Sequence, residues 1–262
     1  MATGKDPAPR KSLGQHWLVD DSALQDICES AELSDEDVVL EIGPGTANLT
    51  TLLLEDAAQV IAVELDENLY TRLVQMNIPG LEVINEDILN FDFDRLPKDY
   101  KIVANIPYYL TGKLIRQISE SSNRPVIAVM LVQKEIAQRM SAKPGDLSVL
   151  GLISQYFWDV QKGAIITADK FDPRPKVDSQ VVILKRKTDL PLELDEQKAL
   201  FRLIRIGFMS KRKTILNNLS TIENTDRDEL RSRLQNIGVD PGRRPQSFSL
   251  DEWLKIHLAL ST

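Results

Sequence analysis

The sequence predicts an α/β protein built on a doubly wound parallel sheet with an antiparallel edge, followed by a small all-helical domain. Three observations support this prediction. Short runs rich in Val and Ile alternate with helix-like patterns in the first half of the chain, strand-like runs without an intervening long helix follow residue 160, and helix-like patterns fill the C-terminal part. With 262 residues, the chain is long enough to bury the cores of a medium domain and a small one.

Short apolar runs in the first half of the chain are predicted as buried parallel strands, at 38–43, 59–65, 81–87, 100–106 and 125–133. Between them, apolar residues such as Leu49, Leu52 and Leu53 recur at helical spacing. This alternation indicates helices on both faces of an open, Rossmann-like sheet. We therefore assign residues 1–187 to one domain, whose first twelve residues are predicted to be a flexible arm because they are rich in Pro and small polar residues.

A different pattern begins after this sheet. Residues 164–170 and 179–187 are strand-like and are separated only by the turn-rich segment FDPRPKVD, which indicates a hairpin-like antiparallel edge. From Asp195 onward the apolar spacing becomes helical. Residues 188–262 are therefore predicted to form a small all-helical domain.

Cysteine and histidine usage excludes several classes of protein. Cys28 is the single cysteine, so an internal disulfide framework is impossible, and His16 lies far from His257 in the sequence. We therefore expect no metal site. No run approaches the roughly 20 apolar residues that span a bilayer, and the N-terminal sequence lacks the apolar stretch of a secretory signal. These features predict a cytoplasmic protein with no membrane partner.

The charge is unevenly distributed along the chain. A net charge of −7 argues by itself against a nucleic-acid partner, because phosphate binding depends on Lys and Arg. However, Asp20–Asp99 contains 20 acidic and 3 basic residues, whereas Lys170–Asn218 contains 12 basic and 6 acidic residues. This asymmetry indicates either one basic face on an acidic protein or a solvated helix surface. Charge alone favours neither interpretation.

Glycines and carboxylates stand at the ends of three successive predicted strands. Gly43 and Gly45, in the sequence EIGPGTA, would let a ligand approach the backbone at a helix N-terminus. Glu64 could accept hydrogen bonds from ribose hydroxyls, and Asp87 could accept one from an adenine amino group. Because the carboxyl ends of parallel strands meet at one edge, this pattern predicts a nucleoside cofactor there. A dinucleotide site and a purely structural turn stay open, although Asn48 replaces the third glycine of the dinucleotide fingerprint.

The most specific feature is the sequence Asn105, Ile106, Pro107, Tyr108 at the end of the fourth predicted strand. The exocyclic N6 of adenine is a poor nucleophile because its lone pair is delocalised into the ring, so its methylation needs acceptors against both N–H groups. The side-chain carbonyl of Asn105 and a main-chain carbonyl in the Ile106 to Pro107 turn can supply them. Tyr108 offers a face on which an extruded base can stack, worth about 1–3 kcal/mol. The alternative is an ordinary strand followed by a proline turn.

Several motifs in the same order resemble the small-subunit (16S) rRNA adenine N6,N6-dimethyltransferase family. LGQHWL, EIGPG and NIPY are similar to its N-terminal element, cofactor loop and catalytic motif. Later segments that resemble its signatures are LVQKEIAQRM, FDPRPKVDSQVV and GFMSKRKTILNNL. The resemblance implies a methyltransferase domain at 1–187, an RNA-docking domain at 188–262 and S-adenosylmethionine as cofactor. It also implies dimethylation of two adjacent adenines near the 3′ end of small-subunit rRNA during ribosome biogenesis.

The resemblance also assigns roles to single residues. It implies cofactor contacts for a set at the strand ends and in the N-terminal element, namely His16, Leu18, Gly43, Gly45, Glu64, Leu65, Asp87, Ile88 and Asn105. It suggests that Phe171 stacks on the target base opposite Tyr108. Lys176 and the basic run at 211–213 (Lys211, Arg212, Lys213), which we predict to begin a helix, would then flank the RNA. The implied partner is small-subunit rRNA in a pre-ribosomal particle, bound by a monomer.

Three departures from the family's pattern and three rival functions stay open. His16 stands where the family often has Asn, Ala47 replaces a frequent glycine, and residues 141–148 lack a longer loop. One rival is the related large-subunit rRNA adenine N6-methylase that confers antibiotic resistance. A second is a non-catalytic ribosome assembly factor, which the intact NIPY motif disfavours. The third is a nicotinamide-dependent oxidoreductase.

Overall fold

The computed structural model describes residues 9–10, 14–222 and 226–261, so the arm predicted for residues 1–12 lies outside them except for positions 9 and 10. Within the described residues, no helix has the length and apolar composition needed to cross a membrane. In the same part of the chain, no three His, Cys, Asp or Glu side chains are grouped so that they could hold a metal ion.

The chain divides into two compact units. The first contains the described residues up to Ala137 together with Trp158–Arg186, and the second contains Gln138–Phe157 and the described residues from Lys187 onward. The second unit thus includes residues 138–157. The sequence-based prediction, with its boundary after residue 187, places these residues in the first domain.

A mixed sheet forms the centre of the first unit. The strands are β1 (Trp17–Leu18), β2 (Val38–Ile42), β3 (Gln59–Glu64), β4 (Leu81–Asn85), β5 (Lys101–Asn105), β6 (Ile127–Gln133), β7 (Trp158–Ile166), β8 (Phe171–Asp172) and β9 (Ser179–Arg186). Seven of those described form one sheet in the order β4-β3-β2-β5-β6-β9-β7, and β1 pairs separately with β8. The predicted fold class is confirmed.

The first five strands of the sheet run parallel, as predicted. Leu40 of β2 lies opposite Ile61 of β3 on one side and Ile102 of β5 on the other, so its apolar side chain is fully buried. The chain proceeds outward from β2 to β4 and then crosses to β5, so the strand order reverses between β2 and β5. Open α/β sheets bind ligands at such a reversal. Strand β4 is only half-buried, in contrast to the prediction, because it forms an edge of the sheet.

The helices up to residue 140 begin at polar residues just after a strand or loop. They are α1 (Asp21–Ser30), α2 (Asn48–Asp56), α3 (Glu67–Met76), α4 (Thr111–Glu120) and α5 (Lys134–Met140). Asp20 caps α1 by accepting a hydrogen bond from the Ala23 N–H at 2.9 Å, and Asp66 caps α3 through the Asn68 N–H at 2.9 Å. Helix α1 buries Ile27 in the same apolar cluster as Leu53 of α2.

At the antiparallel edge, the strands do not follow each other in chain order. Strands β7 and β9 pair antiparallel, as predicted, but β9 lies between β6 and β7, so β7 is the edge strand. The segment predicted as a turn contains β8, in which Phe171 pairs with Leu18 and Asp172 with Trp17. This pairing ties the N-terminal segment to the first unit.

Helices make up the second unit. They are α6 (Val149–Phe157), α7 (Leu194–Gly207), α8 (Ile215–Leu219), α9 (Arg227–Asn236) and α10 (Leu250–Ser261), while short 3₁₀ turns in the chain cover Phe93–Arg95, Ala168–Lys170 and Pro245–Ser247. The rings of Tyr156 and Phe157 lie 5.2 and 5.5 Å from the ring of Phe201. This aromatic cluster explains why residues 138–157 belong to the helical unit. Trp253, fully buried, stacks on Phe208 at 5.8 Å.

Candidate active site

An open cavity of about 780 Å³ lies at the carboxyl ends of β2, β3, β4 and β5. Its lining comes from five segments of the first unit: residues 14–17, 42–45, 63–65, 86–88 and 105–110. Eight of the nine residues predicted to contact a cofactor line it: His16, Gly43, Gly45, Glu64, Leu65, Asp87, Ile88 and Asn105. Leu18, the ninth, lines a smaller adjoining cavity that shares Gly43, Gly45 and Asn105 with the first.

The loop after β2 requires glycine at two positions. Gly43 has φ +69° and Gly45 has φ +58°, in the left-handed region that side chains disfavour. A Cβ on Gly43 would meet no atom within 4 Å, although Gly43 lines the cavity, so the space beside it is open to a ligand. A Cβ on Gly45 would lie 3.4 Å from Cδ1 and Nε1 of Trp17. Both glycines thus let the loop approach a neighbour or a ligand closely.

Glu64 links the glycine loop to the end of β3. Its Oε2 accepts a hydrogen bond from the Gly45 N–H at 3.2 Å, and its Oε1 accepts one from the Asp66 N–H at 2.9 Å. The side chain is buried, which raises the pKa of Glu64, while these backbone hydrogen bonds oppose the shift. Asp87, after β4, accepts a hydrogen bond from the Leu89 N–H at 2.9 Å through Oδ1. Two oriented carboxyl groups therefore face one cavity.

Asn105 ends β5, and one hydrogen bond defines the orientation of its side chain. Its Nδ2 donates to the main-chain carbonyl of His16 at 3.2 Å. Because the amide nitrogen is used in this bond, the side-chain oxygen is the acceptor that Asn105 can offer in the cavity. The Pro107 carbonyl accepts from the Leu110 N–H at 3.0 Å, in the turn that leads to α4. Because a carbonyl oxygen has two lone pairs, Ile106 and Pro107 both stay candidates for the main-chain acceptor predicted in this turn.

Tyr108 is held by contacts at both ends of its side chain. Its hydroxyl hydrogen-bonds the Ser179 Oγ at 2.9 Å, and its ring stacks on His16 with centroids 5.8 Å apart and planes 23° apart. Burial raises the pKa of the Tyr108 hydroxyl, and the bond to Ser179 opposes the shift. His16 Nδ1 in turn donates to the Pro173 carbonyl at 2.6 Å. The His16 ring thus supports the Tyr108 ring.

Phe171 is not among the residues that line either cavity, and its stacking on a target base opposite Tyr108 stays a prediction. Its side chain is 4% exposed and belongs to the apolar cluster that contains Leu18 and Val181. The pairing of β8 with β1 accounts for this burial. Stacking on a base would require the ring to leave the core, and the ring that stacks on Tyr108 is His16.

The residues predicted to bind RNA are all exposed. Lys176 lies in the first unit, between β8 and β9. Lys211, Arg212 and Lys213 lie in the second unit, in the turn before α8. They do not begin that helix as predicted, because its N-cap is Thr214, whose side chain accepts from the Asn217 N–H.

The comparison with known proteins decides between the possible uses of this site. The sequence matches the profile of the ribosomal RNA adenine dimethylase family over residues 8–261. The chain belongs to this family. Among the other members, the ribosomal RNA small subunit methyltransferase A of Dehalococcoides mccartyi (strain CBDB1) is 37% identical over 263 residues, which cover 98% of this chain and 90% of that protein. The protein of the same name from Clostridium botulinum (strain Langeland / NCTC 10281 / Type F) is 37% identical over 254 residues, with coverage of 94% and 92%.

Two solved structures are similar to this family member over nearly its whole length. A dimethyladenosine transferase from Plasmodium falciparum superposes with a TM-score of 0.78 at 29% identity, covering 93% of this chain and 97% of that one. The 23S rRNA methyltransferase ErmE superposes with a TM-score of 0.73 at 27% identity, covering 94% and 100%. The oxidoreductase alternative is therefore not favoured.

Sequence reasoning missed several residues that line the cavities of this dimethylase-family chain. Trp17 lines both cavities, and its indole N–H is buried without a hydrogen-bond partner among the described residues. Glu41 lines the smaller cavity, where the Thr50 hydroxyl donates to it at 2.6 Å and burial raises the pKa of Glu41 to about 8. Tyr109 lines the main cavity next to Tyr108. Trp17 and Tyr109 are adjacent in sequence to predicted site residues, and Glu41 is the first residue of the EIGPG motif. These positions are the sequence features that could have identified them.

Proposed function

We propose that this chain transfers methyl groups from S-adenosylmethionine to the N6 amino group of adenines in small-subunit rRNA. The observation that carries the proposal is the position of Asn105 beside the glycine loop, with its amide oriented by the His16 carbonyl so that the side-chain oxygen accepts. The relatives that share 37% identity with this chain are named as small-subunit methyltransferases, which supports the choice of polymer.

The residues of the cavity fit S-adenosylmethionine. The cavity combines apolar lining residues such as Ile42, Val63 and Leu65 with the carboxyl groups of Glu64 and Asp87, a combination typical of small-molecule sites. The open space beside Gly43 can accept part of a ligand against the backbone. Carboxylate oxygens have two lone pairs each, so Glu64 and Asp87 can still accept hydrogen bonds from ribose hydroxyls and the cofactor's adenine amine. When bound there, S-adenosylmethionine supplies an electrophilic methyl group.

The side chains around Asn105 then act on the target base. The Asn105 Oδ1 and a main-chain carbonyl of the Ile106 to Pro107 turn would accept the two N–H groups of N6 and localise the nitrogen lone pair, which would take the methyl group as its bond to the cofactor's sulfur breaks. Pro107 fixes the local backbone, and the Tyr108 ring, supported by His16, packs against the extruded base. Once methylated, the nitrogen is strongly acidic and loses its proton to water, so no side chain has to act as a base. The rate enhancement comes from positioning and electrostatics.

A methylation experiment on ribosomal subunits tests this proposal. Purified protein is incubated with labelled S-adenosylmethionine and either small-subunit particles or large-subunit rRNA, and the modified nucleosides are identified by mass spectrometry. We expect N6,N6-dimethyladenine in small-subunit rRNA, at two adjacent adenines near its 3′ end. Label only in large-subunit rRNA would favour the activity of ErmE, whose fold this chain shares. RNA binding without methyl transfer would instead support a non-catalytic assembly factor.

The proposal extends to the oligomeric state of the enzyme, its location and its RNA partner. We propose that the chain acts as a monomer in the cytoplasm on a pre-ribosomal particle. The exposed cations Lys176, Lys211, Arg212 and Lys213 supply positive charge for contacts with rRNA phosphates. Light scattering of the free protein checks the monomer, and co-sedimentation with immature and mature small subunits checks the preference for the pre-ribosomal particle.

A further inference from the structure

Two consecutive tyrosines follow Pro107, and their surroundings differ. Tyr108 is held by Ser179 and His16, as described above. Tyr109 is 56% exposed, although it lines the same cavity. An aromatic ring left this exposed beside a cavity is apolar surface that a ligand can cover.

The contacts of Tyr109 place it toward the cofactor-binding part of the cavity. A Cβ on Gly14 would lie 3.4 Å from its Cδ1 and 3.6 Å from its Cε1, so the ring packs against the backbone of the N-terminal element. Tyr109 lines the same cavity as Asp87 and Glu64, whose charges add to the effect of burial in raising the pKa of the Tyr109 hydroxyl. These are the two carboxyl groups that we assign to the nucleoside of the cofactor.

We propose that Tyr109 is a cofactor-binding residue whose ring covers the nucleoside of S-adenosylmethionine, whereas Tyr108 serves the target base. The inference rests on the proposed function. Leu65, 46% exposed, also lines the cavity, so a purine bound near Glu64 and Asp87 would cover apolar surface from both side chains. Stacking of a base on an aromatic ring is worth about 1–3 kcal/mol, or roughly one to two factors of ten in affinity.

Binding measurements on the full chain test this role without catalysis. Calorimetric titrations with S-adenosylhomocysteine and with 5′-methylthioadenosine give Kd for the wild type and for Tyr109→Ala, Tyr109→Phe and Tyr70→Ala. Tyr70 is a half-buried tyrosine of α3 outside the cavity lining, so Tyr70→Ala controls for loss of a ring elsewhere in the unit. We expect Tyr109→Ala to raise the Kd of both ligands about tenfold or more. The Kd values of Tyr109→Phe and Tyr70→Ala should stay within about twofold of the wild-type values.

Equal weakening of both ligands supports the inference, because 5′-methylthioadenosine retains the nucleoside and lacks the amino-acid part. Wild-type Kd values in Tyr109→Ala, together with a raised KM for rRNA, would overturn it and assign the ring to the RNA. If Tyr109→Ala weakens S-adenosylhomocysteine alone, the ring contacts the amino-acid part and the inference is wrong. Failure of the wild type to bind either ligand would instead reject the proposed function. A thermal unfolding curve for each variant confirms that it is folded.

Discussion

The hydrogen bond between Asn105 and the His16 carbonyl orients the amide to which we propose a catalytic role. An amide can present either its oxygen or its nitrogen, and only the oxygen can accept from the target amine. His16 therefore serves the site through its backbone carbonyl and through its ring, which stacks on Tyr108. His16 thus makes two contacts that shape the site, one through its main chain and one through its side chain.

Replacement of Asn105 by Ala should abolish methyl transfer and leave the fold intact. The loss of one oriented acceptor in such sites costs about a hundredfold to a thousandfold in kcat. Single-turnover methylation of small-subunit particles measures the rate, and a melting curve measures the fold. Asn90→Ala, at an exposed position outside the cavity, is the control and should keep wild-type rates. Wild-type rates in Asn105→Ala would refute the mechanism.

Glu41 has a buried carboxyl group whose unusual pKa could not be predicted from the sequence pattern. It is 1% exposed, and burial raises its pKa to about 8, with a smaller contribution from the charge of Glu64 and an opposing hydrogen bond from Thr50. In the unfolded chain the same group ionises near its ordinary value of 4.5. Between these pH values the folded state binds the proton more tightly, so its stability falls as the pH rises.

Glu41→Gln should therefore remove part of the pH dependence of stability. The amide has the same shape, stays neutral and can still accept from the Thr50 hydroxyl. Unfolding of the free protein between pH 5 and pH 9 should show a Tm that decreases less with rising pH in the variant than in the wild type. The exposed substitution Glu55→Gln is the matched control and should follow the wild-type profile. Parallel Tm profiles for Glu41→Gln and the wild type would contradict the explanation.

Strands and helices, rather than single side chains, account for where the site lies. The reversal of strand order between β2 and β5 brings the glycine loop next to Asn105. The short ribbon of β1 and β8 then holds the N-terminal element beside them, so that His16 and Trp17 also line the cavity. The site is thus built where the connections after four strands of the sheet, β2 to β5, meet the N-terminal segment.

In the helical unit, the last turn of α7 packs closely on α10, and Gly207→Ala tests that packing. A Cβ at this position would lie 2.3 Å from Cη2 of Trp253, so the indole or the helix must shift. Overpacking of this kind costs about 1–3 kcal/mol of unfolding free energy. Gly112→Ala in α4 is the matched control, because its Cβ meets nothing within 4 Å and alanine favours helix by up to about 1 kcal/mol. Urea denaturation measures both variants, and equal stability for them would refute the packing argument.

The chain as a whole carries a net charge of −7, and we propose that it binds an anionic polymer. For this binding, the location of the cationic side chains matters more than the net charge. The side chains of Lys211, Arg212 and Lys213 are exposed in a turn of the helical unit. Exposed cations bind phosphate by releasing counterions, which makes binding depend on salt and on the number of contacts.

Replacement of Lys211, Arg212 and Lys213 by Gln should weaken rRNA binding and leave cofactor binding unchanged. If all three contact phosphates, the slope of log affinity against log salt should fall in magnitude by about 2. Filter binding at several salt concentrations measures the slope. A control triple replacement at the exposed positions Lys198, Arg231 and Lys255 preserves the change in net charge. Identical slopes for the two triple variants would show that the turn does not bind RNA.

Most of the cofactor cavity could be predicted because parallel strands obey a simple geometric rule. Gly43, Glu64, Asp87 and Asn105 each follow or end a strand that the pattern of Val and Ile identifies, and neighbouring parallel strands end at the same edge. Their convergence therefore follows from local sequence. The burial of Phe171 could not be predicted, because no local pattern shows that β8 pairs with β1, which lies far away in the chain.

The sequence by itself determined the fold class, the parallel strands and the strand-end residues, because hydrophobic periodicity and strand-end chemistry are local properties. Its resemblance to a known family also indicated the reaction. Only the tertiary structure decided that β9 lies inside the sheet, that residues 138–157 join the helical unit and that Tyr108 stacks on His16. These features depend on contacts between segments distant in sequence, where packing and burial select one partner among several that local patterns allow equally well.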